Sequence, residues 1–187
     1  DAYVKVRISF GIQGIDRSDY VIWKPDENRG IALFSDNLDV STTVAQDFLL
    51  QTCADLRNVQ CDLLGCASGT VPTTLVLPGG VSCWIEEFRT WYTAKVSSGT
   101  PVLPTGSAFI TELKEFRSQS PDYVSQIGFI GGELKFVVID VTLSLQQFLP
   151  NYVTKPVFEK MQAYTNNLAA NAPASLGRVQ QTSRFWT

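Results

Sequence analysis

The chain has 187 residues, 44% hydrophobic and 18% charged, a composition that packs one domain and lies far from the polar profile of disordered segments. With 15 Lys and Arg against 18 Asp and Glu the net charge is -3, so no cationic field exists to hold a phosphate backbone and nucleic acid is not an expected partner. There is no histidine, which removes Ser-His and Cys-His nucleophile systems together with the commonest general base and metal ligand; neither an enzyme nor a cofactor is expected.

Val4, Val6, Ile8, Phe10 and Ile12 alternate with Lys5, Arg7, Ser9, Gly11 and Gln13, the period of a half-buried strand. Residues 14–30 are polar and turn-rich and read as a long loop containing Tyr20 and Trp23. A helix follows, with Ser41 or Thr43 as N-cap, Thr43 and Gln46 spaced as a capping box, and Val44, Phe48, Leu49, Cys53 and Leu56 on its inner face. Asp36 and Asp39 precede that helix, where carboxylates favour its dipole.

The uncharged run from Leu63 to Ile85 is interrupted by Gly65, Gly69, Pro72, Pro78, Gly79 and Gly80. That is a poor lipid-spanning helix and reads as a loop. Its aliphatic strip, Val71, Leu75, Val76 and Leu77, either folds back on the domain or meets a cargo or partner.

Two further helices are predicted over 82–96, with Ile85, Phe88 and Tyr92 on one face, and over 105–118, with Phe109, Leu113 and Phe116. The first carries Trp84, Phe88, Trp91 and Tyr92. Four aromatics do not fit one narrow buried stripe, so they form either core or a candidate cargo surface. Glu86 and Glu87 are adjacent on that helix, point in different directions and read as solvated.

Residues 123–130 and 133–145 flank Gly131-Gly132, which supplies the positive φ angles of a tight hairpin. The second arm changes apolar phase at its middle, which predicts a bulge near Val138. Pro156 suits the first turn of a helix with the stripe Val157, Met161, Tyr164 and Leu168, ended by Asn171, Pro173 and Gly177. A last strand is predicted over 178–186. The order predicts an α+β fold, a ferredoxin-like split βαβ (β-α-β-β-α-β) with additional helices in the first crossover. In that topology the first and last strands are antiparallel neighbours, and both chain ends leave at one edge.

Four cysteines, Cys53, Cys61, Cys66 and Cys83, fall within about thirty residues. An even, clustered set suggests two disulfides and an oxidising compartment; free buried thiols and an irregularly spaced zinc site are the alternatives. No Asn-x-Ser/Thr sequon bears on the compartment.

Several blocks in order resemble the second extracellular domain of Dispatched-like proteins, relatives of Patched in the RND transporter superfamily. They are the strand running into Phe10-Gly11-Ile12, Phe34 to Ser41, Ala45 to Leu50, Cys53, Leu56-Arg57, Ser82 to Trp91, and Phe158 to Met161. The resemblance implies that Cys53 pairs with Cys83, leaving Cys61 with Cys66. It implies a single extracytoplasmic porter-type domain over 1–187, with a cysteine-containing insertion at about 58–121, excised from a membrane transporter that moves sterol, lipid or lipidated cargo. The implied partners are the companion ectodomain and the transmembrane helices of the same transporter. Vertebrate members carry more cysteines after the second helix, where this chain has only Val96 to Thr105; that departure argues against a Hedgehog-exporting role. The alternatives are a stand-alone secreted disulfide-containing binding or adhesion module and an enzyme fragment.

Overall fold

The alternating opening segment forms β1 (Tyr3–Phe10), with Val4, Val6, Ile8 and Phe10 all at most 2% exposed. The structure, a computed structural model, describes residues 3–19, 30–66, 74–96 and 102–183, so Tyr20, Trp23 and Val71 lie outside it. The alternation continues in the sequence through Ile12, yet the strand stops at Gly11, whose φ is 87°. Beyond it β2 (Ile12–Asp16) pairs antiparallel with β3 (Ile31–Phe34) in a separate two-stranded sheet. The segment read as one long loop over residues 14–30 therefore begins in strand, with residues 14–16 in β2, and leads directly into β3.

The main sheet is built on β6 (Glu133–Gln146). It runs antiparallel to β1 on one side, and β7 (Val179–Ser183) lies antiparallel on the far side of β1. The other edge of β6 is shared: β5 (Ile127–Ile130) pairs along its first half and β4 (Val76–Ser82) along its second. The four described helices are α1 (Thr43–Asn58), α2 (Trp84–Val96), α3 (Gly106–Gln119) and α4 (Asn151–Asn171). The architecture is thus α+β with antiparallel sheets. One hydrophobic cluster joins Val4 to Phe10 of β1 and Val137, Ile139, Val141, Leu143 and Leu145 of β6 to buried residues from all four helices.

The hairpin reading of β5 and β6 holds, with Gly131 at φ 58° and Gly132 at φ 85°. The expected bulge does not lie at Val138, because the β1 register is unbroken from Val137 to Thr142. The irregularity falls earlier, where Gly128 faces Phe136 and Phe129 faces Leu134. The apolar phase changes because both faces of this end of β6 are covered: Phe136 stacks on Phe34 of β3 at 6.1 Å and 11°, and Val138 is 3% exposed.

Three other boundaries move by short steps with clear causes. The N-cap of α1 is Thr42, whose hydroxyl accepts from the Ala45 amide at 3.3 Å, so the inner face takes Ala45 while Val44 is 65% exposed. Pro156 lies inside α4, which begins at Asn151; the missing N–H forfeits a bond to the Tyr152 carbonyl in an early, solvent-facing turn. The run from Leu63 to Ile85 is not simply loop, since residues 76–82 are β4. Among the described residues no helix is long and apolar enough to cross a membrane.

Gly128 leaves the space that the Phe136 ring occupies: a Cβ there would sit 2.0 Å from Phe136 Cε1. Gly128→Ala is expected to lower unfolding free energy by about 1–3 kcal/mol, the range for overpacking, in urea titrations. Combining it with Phe136→Ala should cost less than the two single changes added, because the clash is then absent.

Candidate functional site

On α2 the spacing of Trp84, Ile85 and Phe88 turns all three into the core, each at 0% exposure. Phe88 meets Phe109 of α3 edge-on at 5.3 Å and Phe116 at 5.5 Å, which makes the aromatic run the α2–α3 interface. Trp91 and Tyr92 are half-buried at its rim. The Trp91 indole N–H donates to Gln119 Oε1 at 3.0 Å, and the Lys95 ammonium lies 5.1 Å from the Trp91 ring centre while binding Glu112 at 2.6 Å and Glu115 at 2.7 Å. The Trp84 indole N–H is buried with no acceptor among the described residues.

Of the residues expected to meet cargo, Trp84 and Phe88 therefore present no surface. Leu75 is fully buried, Leu77 is half-buried in β4 and Val71 lies outside the described residues. Trp91, Tyr92 and Leu77 retain accessible edges.

The cysteines form two disulfides, Cys53–Cys83 and Cys61–Cys66, with Cα separations of 6.2 and 6.0 Å. No thiol is left for a zinc site, and among the described residues no group of three or more His, Cys, Asp and Glu could hold a metal. Cys53 on α1 and Cys83 at the start of α2 clamp the two helices. One turn further along each, Arg57 grips Glu86 with both guanidinium nitrogens, Nη1 to Oε1 at 2.7 Å. Glu86 is thus an ion-pair partner rather than a purely solvated carboxylate. Asp39 organises the turn before α1, accepting from the Ser41 amide at 2.9 Å and hydroxyl at 2.6 Å.

Two concavities were not foreseen from the sequence. Between Val76↔Leu143 and Val81↔Val141, β4 uses more residues than β6, so Leu77-Pro78-Gly79-Gly80 arches away from the sheet. A cleft of about 330 Å³ opens there on the face opposite the helices, lined by Lys5, Arg7, Gly80, Ser82, Asp140 and Thr142. Arg7 is committed within it, donating to both Asp140 oxygens at 2.7 and 3.2 Å and to Ser125 Oγ at 3.3 Å. Its charged and polar side chains share the lining with apolar surface, and its one carboxylate is already bound to a guanidinium, so the cleft suits docking rather than proton transfer. The Pro78-Gly79-Gly80 step was the available signal, because such sequences mark strand irregularity.

The second concavity, about 160 Å³, separates α1 from α4 and is lined by Phe48, Gln51, Asp55, Tyr164 and Leu168 among others. Burial, with a smaller contribution from the Asp55 charge, pushes the Tyr164 hydroxyl up to about 12. Gln46, read as a capping partner, instead lies buried and ties α1 to the start of α3. Its Nε2 donates to the Ser41 carbonyl at 3.2 Å and to that of Pro104 at 2.9 Å.

Mass spectrometry of unreduced protein should find no alkylatable cysteine. Replacing Cys53 and Cys83 together by Ala should cost about 3–4 kcal/mol, the loop-entropy value for a 30-residue separation, against a smaller loss for the Cys61–Cys66 pair, as read by urea unfolding. Because the folded form holds the Tyr164 proton above its ordinary 10, its contribution is fully present below pH 10 and is lost as pH rises through about 12. Tyr164→Phe should flatten the stability profile across that interval in alkaline titrations. No protein-family model matches this chain, and no curated protein matches it either.

Proposed function

We propose that this chain is the extracellular or luminal porter-type domain of a Dispatched-like RND transporter, docking on a companion ectodomain and contributing one wall of a passage for sterol, lipid or lipidated cargo. One observation carries the reading. Tyr3 lies opposite Gln146 and Ser183 lies opposite Val6, so the first described strand begins and the last one ends at the same pole. A domain set between two membrane helices needs such closely spaced ends.

Further support comes from the sheet. The antiparallel pairings of β7 with β1, β1 with β6 and β6 with β5 are compatible with a ferredoxin-like split βαβ, in which β4, sharing the outer edge of β6, together with α2 and α3 would be the elaboration of the first crossover. The two disulfides fit an oxidising compartment. The distribution of polarity refines the division of labour: the open sheet face, with Lys5, Arg7, Asp140 and the cleft under β4, is the docking side. Any apolar passage would run where this domain meets its companion, because the aromatic cluster of α2 and α3 is closed within the core.

Sequencing the full open reading frame tests the proposal. A membrane-spanning helix on each side of residues 1–187 is expected; a secretion signal with no membrane helix would instead identify a stand-alone binding module.

A further inference from the structure

Phe148 is 89% exposed and Tyr152 is 75% exposed, the two most exposed large hydrophobic side chains described; Val102 follows at 74%, and Leu64 and Ile31 are each at 72%. Phe148 is also the one non-glycine residue with positive φ, 64°, among those described. An aromatic residue in that region of backbone space is strained and persists only where its neighbours dictate it. They do so here: the Gln147 side-chain amide donates to the Tyr3 carbonyl at 3.0 Å, and Leu149 packs against the core. With both flanks held, Phe148 is displayed outward.

The three residues share one pole. Phe148 follows the end of β6, where Gln146 faces Tyr3, and Tyr152 lies in the first turn of α4. Leu64 sits in the turn closed by Cys61–Cys66, which packs on α4 through Gly65 beside Val157 and Val153 and through an Asp62–Lys160 pair at 3.2 Å. This is the pole toward which β1 begins and β7 ends. The nearby lysines of α4 are matched by carboxylates, Lys155 by Glu159 and Lys160 by Asp62, so among the described residues α4 aims no cationic cluster at anionic lipid.

From this geometry we propose that Phe148, Tyr152 and Leu64 form a foot that enters the boundary between headgroups and acyl chains of the bilayer beneath the domain. Resting on the porter-domain reading for the side that faces the membrane, the inference adds a lipid contact made by the ectodomain itself. Aromatic and aliphatic side chains with few net charges favour that zone. The β2–β3 sheet, with Ile31 exposed at 72%, follows the opposite end of β1 and points away.

The test uses the 187-residue chain tethered by a C-terminal polyhistidine tag on a flexible linker to phosphatidylcholine vesicles containing a nickel-chelating lipid. An environment-sensitive nitrobenzoxadiazole fluorophore is placed at Asn151→Cys or, as a control at the far pole, at Ile31→Cys. The label at 151 should shift to the blue and brighten while the label at 31 stays unchanged. Phe148→Gly should abolish the shift without lowering the melting temperature, because glycine adopts this φ without strain. The proposal is overturned by no shift at 151, by equal shifts at both positions, or by a shift produced by added unlabelled chain without vesicles, which identifies self-association. Loss of the lipid signal leaves the porter reading intact, since that stands on flanking membrane helices; absence of those helices with a clear signal at 151 retires the porter reading alone.

Discussion

Everything in this fold is referred to the pairing of β1 with β6. The two strands bury Val4, Val6, Ile8 and Phe10 against Val137, Ile139, Val141, Leu143 and Leu145, nine side chains each contributing on the order of 2 kcal/mol of transfer free energy. Even a fraction of that matches the net stability of a domain, about 5–15 kcal/mol. Because β6 is 14 residues long, it has room for two partners on its outer edge, and β4 and β5 share it end to end. The segment between α1 and β5 is thereby secured to the same sheet as the rest of the chain instead of hanging from it.

The disulfides act on that segment at its least regular places. Cys53–Cys83 joins α1 to the junction of β4 and α2, with the Gln60↔Thr74 bridge and the Leu75 amide bound to the Val59 carbonyl inside the covalent closure. Cys61–Cys66 then fixes the 3-10 turn 64–66 on α4 and the end of β6. Loop closure restricts the unfolded chain and so favours the folded arrangement; the ion pair of Arg57 with Glu86 adds little by comparison, being partly exposed to solvent.

The elements with a single strong period were legible in the sequence: β1, the Gly131-Gly132 hairpin, and the stripe Phe109, Leu113 and Phe116 of α3 all lie where spacing put them. What escaped was set by contacts distant in sequence. Residues 31–34 show no useful alternation because β3 is short and mostly exposed, and its existence depends on pairing with β2. The strand β4 contains Pro78 and two glycines, local signals for a turn, and it is held as strand only at its ends by β6. The aromatic run of α2 looked too wide for one buried stripe, but α3 supplies a second surface, so Trp84 and Phe88 are enclosed while Trp91 and Tyr92 form the rim. For the cleft only the irregular Pro78-Gly79-Gly80 step was legible and not the strand it opens on, and the displayed Phe148 was invisible, since a residue's φ is not written in periodicity.

The distribution of polarity that results is directional. The helix-covered face of the sheet is sealed, the opposite face carries Lys5, Arg7, Asp140 and Thr142 around a cleft, and exposed aromatic surface is concentrated beside the ends of β1 and β7. A molecule tumbling freely gains nothing from holding a phenylalanine outward in a left-handed conformation: the backbone strain and the exposed ring both oppose it. Either term would be relieved by a glycine at 148. That neither is relieved makes sense if the ring has an apolar surrounding when the protein is at work, as the proposed lipid contact would supply.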